Sequence, residues 1–472
     1  MKKYFILLLI SFQASAVFVN HKGKGEVLIV PYYSVNNELN TMVSVTNTKL
    51  MPKALKVNIR EGLNGYAVKS FNVYIGPNDT WTFSMGITSS EIDGYVGEDN
   101  AAFTSFDHTC TSYTQLVEEL SPQALADGPQ DLQRLREGFI EIIEMGELLE
   151  DSYQAALNIN GIQNCTYFYE AWQEDGIWHE ASGGDVHHDF APVSGGLMAE
   201  ADIIHVTSGA NYSIPVVAFA DFFADDTMAH ISADDSSLSL DAAAPYATIL
   251  TDDKVFQLQF DRGIDAVSSV LMADQLTATF AVDANVEGTA ETVLTQPTRR
   301  FYINNNAMTS EAPYAADSEV DSCFSENYGG VEVDMNVFDR DSQSDEPVAL
   351  AGVATPASAR PTYCGSVFVQ SMRLHPISPG QPEITGSHNY HIIGNVMNGT
   401  ENGFILSKFL NTRPLMGTDI DTSKTMHVMG LPVIGLSLNR FINNNAQPGV
   451  LAQYGFAHRL KSKARVIEQS SD

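Results

Sequence analysis

Residues 71–83 read FNVYIGPNDTWTF, two apolar stretches on either side of a turn. Apolar side chains occupy every second position: Phe71, Val73 and Ile75 before the turn, Trp81 and Phe83 after it. An alternation of period two places such side chains on one face of a β-strand. The intervening Gly76-Pro77-Asn78-Asp79 is typical of a turn. The stretch therefore predicts two short strands, each with one buried face.

The same pattern extends over residues 25–84. Val27–Val30 is an apolar burst that we expect to end at Pro31, and residues 41–45 alternate up to the turn-prone 46–48. Leu55, Val57 and Ile59 share one face of a further strand, with Lys56 and Asn58 on the other face. Short strands with turn signals about every 8–12 residues are typical of an antiparallel sandwich. We therefore predict a mainly β protein that opens with an immunoglobulin-like β-sandwich over residues 17–108.

Residues 109–194 change period. Two sets of residues have the helical spacing i, i+3, i+4, i+7, namely Tyr113, Leu116, Val117 and Leu120, and Cys165, Phe168, Tyr169 and Trp172. Pro122 should end the first helix, because proline cannot continue one. Residues 139–145 fit either a strand or a buried helical turn. We predict a partly helical insertion over residues 109–194.

Four cysteines suit an oxidising compartment: Cys110, Cys165, Cys323 and Cys364. Three pairings are possible, and proximity in sequence favours Cys110–Cys165 and Cys323–Cys364. The first bridge would staple the partly helical insertion. The cysteines show no CxxC or zinc spacing, so we expect them to be structural.

Alternation returns after residue 195. Residues 256–260, 276–282 and 331–337 each alternate apolar with polar side chains, which predicts half-buried antiparallel strands. We predict a β-rich region over residues 195–457, with long loops at 224–244 and 339–361. A basic, polar tail, frayed and solvated, should follow over residues 458–472.

The first sixteen residues indicate where the protein goes. Lys2 and Lys3 precede the short apolar run Tyr4–Phe12, and Ala14-Ser15-Ala16 offers a cleavage site for signal peptidase. This order predicts a cleaved signal peptide over residues 1–16 and export to the periplasm, outer surface or medium. No later segment is apolar for long enough to predict a transmembrane helix.

The charge is strongly acidic: 58 Asp and Glu oppose 26 Lys and Arg, a formal net charge of −32. Such a surface repels nucleic acid, so we expect no nucleic-acid partner. Three explanations of the acidity stay open: a saline habitat that screens it, calcium sites, and a basic macromolecular partner.

One acidic loop has the spacing of calcium ligands. Asp339, Asp341 and Asp345 occupy positions 1, 3 and 7 of a loop that follows an alternating strand. Carboxylate oxygens at alternate positions suit calcium, although the glycine and glutamate of an EF-hand are absent. These three residues are the predicted calcium ligands.

Histidines cluster at residues 179–188. His179, His187 and His188 lie close to Glu180, Asp185 and Asp189, a set of groups that could bind zinc or another transition metal. The spacing matches no metalloenzyme motif, because His179-Glu180 lacks the second histidine of HExxH. Gly183-Gly184 indicates a flexible loop, in which these side chains are simply solvated, and this explanation is preferred to a metal site.

The sequence holds no GxSxG elbow, P-loop or GxGxxG motif. We therefore expect a non-catalytic, exported protein that binds or adheres, with calcium as a candidate stabilising ion and a glycan or a cell-envelope protein as its ligand. The alternative is a secreted hydrolase of a polymer, with its site in loops between the β regions. A structural envelope component held by self-association is the third hypothesis.

Several segments spread over the chain resemble a family of secreted, β-rich proteins of Gram-negative bacteria whose function is unknown. The segments that carry the resemblance are residues 25–33, 46–48, 53–57, 138–146, 265–272, 297–302 and 432–435. The resemblance implies export and a β-rich fold over one full-length architecture. It supplies no catalytic residue.

Overall fold

The computed structural model describes residues 16–112, 117–159, 161–315, 329–339, 344–345, 361–373, 381–394, 401–447 and 450–469. These residues are mainly β, as predicted, and form several antiparallel sheets. They also form three α-helices, Glu150–Ala156, Cys165–Ala171 and Gly263–Leu271. No described helix is long and apolar enough to cross a membrane.

Two antiparallel sheets form the N-terminal part. In spatial order, the first sheet contains Phe18–Val19, Val217–Ala220, Val27–Ser34, Glu137–Leu148, Lys53–Glu61, Ala67–Ile75 and Cys110–Thr111, with Phe190–Ala191 paired beside Glu137–Leu148. The second sheet contains Ala210–Ile214, Leu197–His205, Leu39–Asn47, Thr80–Ser89, Asp99–Thr104 and Val117–Glu119.

Aromatic side chains fill the space between these two sheets. Phe71 of the first sheet lies 5.9 Å from Trp81 and 4.9 Å from Phe103 of the second, measured between ring centroids. Phe83 stacks on Trp81 at 4.7 Å. The alternating residues on both sides of the turn at residues 76–79 thus meet in one core, as predicted.

Three further sheets lie among the described residues after residue 245. One contains Tyr246–Leu250, Val255–Gln259, Leu415–Asp419, Thr425–Met429 and Arg465–Glu468. Another contains Ser344–Asp345, Val331–Asp339, Asn402–Phe409, Gln275–Ala281 and Lys461–Lys463, with Thr362–Tyr363 beside Val331–Asp339. The last contains Tyr390–Gly394, Val367–Arg373, Thr289–Thr295, Ile434–Gln447 and Val450–Arg459. Two short pairs complete the strands, Met272–Ala273 with Leu431–Pro432 and Ile303–Asn304 with Thr309–Ser310.

The strands cross the predicted boundaries of the sandwich. Glu137–Leu148, which lies within the predicted insertion, is a central strand of the first sheet and resolves the ambiguity of residues 139–145. Strands after residue 195 also belong to the first two sheets. The expected tail likewise includes strands, because Lys461–Lys463 pairs with Gln275–Thr277 and Arg465–Glu468 pairs with Met426–Met429.

Two local predictions were wrong. Residues 117–119, predicted as helix, form a strand paired with Ala102–Thr104. Strand pairing therefore overrides the helical spacing here. Tyr113–Leu116 lie outside the described residues. The strand that starts at Val27 continues through Pro31 to Ser34. The pairing with Glu137–Leu148 shifts register between Gly138 and Ile140, opposite Pro31. This shift is a β-bulge, and a bulge tolerates proline because the missing N–H would have no ladder partner there.

The helix predicted from Cys165, Phe168, Tyr169 and Trp172 is confirmed over Cys165–Ala171. The disulfide Cys110–Cys165 is confirmed too, and it ties this helix to an edge strand of the first sheet. Cys323 lies outside the described residues, so the pair Cys323–Cys364 stays a prediction.

The double substitution Cys110→Ala/Cys165→Ala should lower the free energy of unfolding by about 4 kcal/mol. The bridge closes a loop with a sequence separation of 55, and closing such a loop in the unfolded chain removes entropy of that order. Urea denaturation of the variant beside the oxidised wild type measures the difference. Equal midpoints and equal slopes would contradict this.

Candidate functional site

A cavity of about 910 Å³ opens beside the disulfide. We call it the aromatic cavity; its walls are the helix Cys165–Ala171, the turn residues 178–186 and residues 230–235. Tyr74 of the first sheet forms part of its floor. Its volume lies within the range of small-molecule sites.

Stacked aromatic rings form the floor. Tyr74 and Phe168 are parallel at 4.1 Å between centroids, and Trp178 stacks at 5.6 Å on the Tyr74 ring. All three side chains are buried. These buried rings make the floor mainly aromatic.

Two aromatic side chains reach the mouth of the aromatic cavity. Trp172 is half-buried, and its Nε1 donates a hydrogen bond to Tyr74 Oη at 2.9 Å. Tyr169 is 59% exposed. An incoming ligand can therefore contact the Tyr169 ring while it lies over the fixed indole of Trp172.

His230 is the buried polar group of the floor. Its Nδ1 lies 2.6 Å from the carbonyl oxygen of Val186, which can only accept, so Nδ1 carries the proton and donates. Nε2 lies 3.3 Å from Tyr74 Oη and is left as an acceptor. Burial lowers the pKa of His230 to about 3, so the imidazole is neutral at ordinary pH.

A buried lysine fixes the wall of the aromatic cavity. Lys56 Nζ donates to the carbonyl oxygens of Ser232 and Ala233 at 2.6 and 2.9 Å, and to Asn72 Oδ1 at 3.0 Å. Burial lowers the pKa of Lys56 to about 8, although Asp235 and Asp234 act in the opposite direction. The carboxylates of Asp234, Asp235 and Glu180 lie at the exposed rim.

Residues 221–244, which we call the covering segment, run over the outer face of the first sheet. Asn72 and Asn58 donate to the carbonyl oxygens of Ile231 and Leu238, at 2.8 and 2.9 Å. These donors replace the sheet partners that a loop backbone lacks. Except for the short 3₁₀-helix Leu240–Ala242, the predicted loop at residues 224–244 is confirmed.

The predicted metal ligands do not converge among the described residues. His179 lines the aromatic cavity and contacts Ser182 Oγ at 2.7 Å, whereas the His188 ring lies 3.4 Å from an Asp189 oxygen. The backbone N–H of His187 donates to Asp185. No described group of three or more His, Cys, Asp or Glu side chains could hold a metal ion.

The predicted calcium loop is only partly described. Asp339 ends the strand Val331–Asp339, and Asp345 belongs to the short strand paired with it. Asp341 lies outside the described residues. The calcium site therefore stays a prediction.

Comparison with protein-family models, curated proteins and solved structures finds no match to this chain. The resemblance to secreted, β-rich proteins therefore stays a prediction. The function has to be inferred from the aromatic cavity.

The substitution His230→Gln should change how stability depends on pH. The pKa of His230 is about 6.5 in the unfolded chain and about 3 in the folded protein. Between these pH values the unfolded chain binds a proton that the folded protein does not, so lowering the pH favours unfolding. Wild type should lose up to about 1.4 kcal/mol per pH unit relative to the variant below pH 6.5.

Urea denaturation at pH 7, 6, 5 and 4 measures this difference. Burial raises the pKa of Glu26 to about 7, so Glu26 makes the folded protein more stable as the pH falls, opposite to His230. This contribution is the same in wild type and variant and cancels in their difference. Parallel profiles for wild type and variant would contradict a buried, neutral His230.

Proposed function

We propose that this protein is an exported, non-catalytic binding protein whose ligand is a glycan held in the aromatic cavity. The observation that carries the proposal is the position of Trp172 and Tyr169 at the mouth of a cavity with an aromatic floor. Flat aromatic faces next to polar rim groups suit a ligand that has both apolar faces and hydroxyl groups. Gln173, Asp234 and Asp235 supply such rim groups.

The proposal includes export through a cleaved signal peptide to the periplasm, outer surface or medium. The disulfide Cys110–Cys165 supports an oxidising compartment. An immunoglobulin-like relationship of the N-terminal sandwich is part of the same proposal, supported by its two facing antiparallel sheets.

A hydrolase would need a different electrostatic arrangement. A general acid requires a carboxyl group whose pKa lies near the working pH. Hydrogen bonds from Ser237 instead lower the pKa of Asp235, and both ring nitrogens of His230 are engaged by Tyr74 and Val186. These contacts favour binding over hydrolysis.

The substitution Tyr169→Ala should weaken glycan binding about tenfold, because it removes an exposed contact worth roughly 1.4 kcal/mol. A glycan array identifies the ligands, and tryptophan fluorescence measures affinity, since two of the three tryptophans, Trp172 and Trp178, line the aromatic cavity. Tyr454→Ala is the matched control: Tyr454 is 61% exposed and lies on the distant strand Val450–Arg459.

The control should bind as wild type does. Absence of any glycan ligand, or equal affinity of the Tyr169 variant and wild type, would contradict the proposed function.

Calcium stabilisation has its own test, thermal unfolding in EDTA and in millimolar calcium at low and high sodium chloride. A specific site should raise the melting temperature at both salt concentrations, because a ligand of the folded state stabilises that state by mass action. An equal rise with sodium chloride alone would assign the effect to screening of the acidic surface and would contradict the calcium site.

A further inference from the structure

A second cavity of about 570 Å³ lies where the first sheet meets residues 300–311. We call it the arginine cavity, because Arg60 and Arg300 both line it. Amide side chains form much of the remaining wall: Asn64, Asn304, Asn305 and Asn306. The lining is therefore polar and rich in hydrogen-bond donors, unlike that of the aromatic cavity.

Two contacts hold Arg300 in place and leave its Nε–H unpaired in the described part of the chain. Its guanidinium lies 3.9 Å above the Phe301 ring centroid, and Nη2 donates to Ser239 Oγ at 2.6 Å. Its Nε is buried and has no hydrogen-bond partner among the described residues. A buried, unpaired N–H of a charged group is costly, so hydrogen bonds among the described residues do not fully compensate the guanidinium of Arg300.

Two positive charges lie close together here. Burial and the neighbouring charge of Arg60 lower the pKa of Arg300 to about 10, although the carboxylates of Glu141 and Asp241 act in the opposite direction, and Arg300 stays protonated at neutral pH. Arg60 is 2% exposed, and its Nε lies 2.7 Å from Glu141 Oε2. A second anion beside Arg300 would offset the repulsion between the two guanidinium groups.

The carboxylates of the arginine cavity already have partners. Asp127 accepts hydrogen bonds from Asn64, Asn305 and Arg134, at 2.5, 3.0 and 3.3 Å. Glu311 pairs with Arg262 at 2.9 Å. Neither carboxylate neutralises Arg300.

The two cavities share a wall. Residues 232–235 of the covering segment line the aromatic cavity, and the next residue, Ser236, lines the arginine cavity. Tyr74 and Ala67, from opposite ends of one strand, line the aromatic and the arginine cavity respectively. Seven residues of strand at roughly 3.3 Å each separate these two positions by about 23 Å, which is the span that a ligand in contact with both cavities has to cover.

We infer that the arginine cavity binds the acidic group of the same glycan, so that the ligand is an acidic oligosaccharide. This inference rests on the proposed function. The net charge of −32 repels a polyanion, so the ligand carries few acidic groups, placed where Arg60 and Arg300 converge. A carboxylate and a sulfate ester present the same oxygen acceptors to a guanidinium.

The test compares pairs of oligosaccharides that differ by a single acidic group, one series with a uronic acid and one with a sulfate ester. Each acidic member should bind wild type at least tenfold more tightly than its neutral partner. Arg300→Gln should abolish this preference, so that the two members of each pair bind the variant equally. Arg465→Gln is the matched control, because Arg465 is an exposed arginine paired with Asp274 outside both cavities.

A second variant tests the cavity without removing a buried group. Asn306 is exposed at its wall, so Asn306→Asp should leave folding intact and weaken binding of the acidic members by repulsion. Inorganic sulfate supplies a probe that does not depend on the sugar. At fixed ionic strength it should raise the melting temperature of wild type more than that of the Arg300 variant, whereas its general stabilising effect is common to both.

The outcomes separate the two claims. The inference is overturned, and the proposed function is kept, if wild type binds acidic and neutral partners with equal affinity. The same follows if the preference survives in both Arg300→Gln and Asn306→Asp. No binding of any oligosaccharide overturns the proposed function, and an equal response of wild type and Arg300→Gln to sulfate then overturns the anion site as well. The series with the stronger preference identifies the acidic group.

Discussion

Burial of charged side chains on the outer face of the first sheet is the constraint on which this structure depends. On this face Arg60 and Glu141, from adjacent strands, are buried with their charged groups 2.7 Å apart, and Lys56 is fully buried as well. Removing an ion from water costs several kcal/mol unless a partner and further hydrogen bonds compensate. The chain therefore needs both the pairing of these two strands and a polar cover over them.

The covering segment provides that polar cover. Its backbone carbonyls accept hydrogen bonds from Lys56, Asn58 and Asn72, so polar side chains of the sheet and unpaired groups of the loop satisfy one another. At residues 230–236 the side chains of this segment line the two cavities. The candidate binding surface is thus a consequence of how the sheet buries its charges.

Alternation of side chains predicted much of the fold. It placed Leu55, Val57 and Ile59 on one face and Lys56 and Asn58 on the other, and it identified the strands around residues 258, 278 and 335. Local spacing could not show that the polar face is buried as well, because the residues that cover it are 176–180 positions away in sequence. The spacing of residues 113–120 predicted a helix where Val117–Glu119 pairs as a strand with Ala102–Thr104, because side-chain spacing does not show which segments pair.

The candidate site was predicted only in outline. The histidines at residues 179–188 indicated a region of interest, and His179 does line the aromatic cavity, but His230 and Tyr74 gave no local signal. These two residues meet only because the covering segment returns to the strand Ala67–Ile75, a separation of 156 residues. Arg60 and Arg300 are likewise brought together only by the packing of two regions.

The most direct test of this account is hydrogen exchange measured by mass spectrometry, with and without a saturating oligosaccharide. The account predicts slower exchange in residues 165–182 and 230–239, which line the aromatic cavity and its shared wall. The account would be contradicted if exchange in those residues were unchanged and protection appeared instead on the strands Ile434–Gln447 and Val450–Arg459. The binding surface would then lie elsewhere.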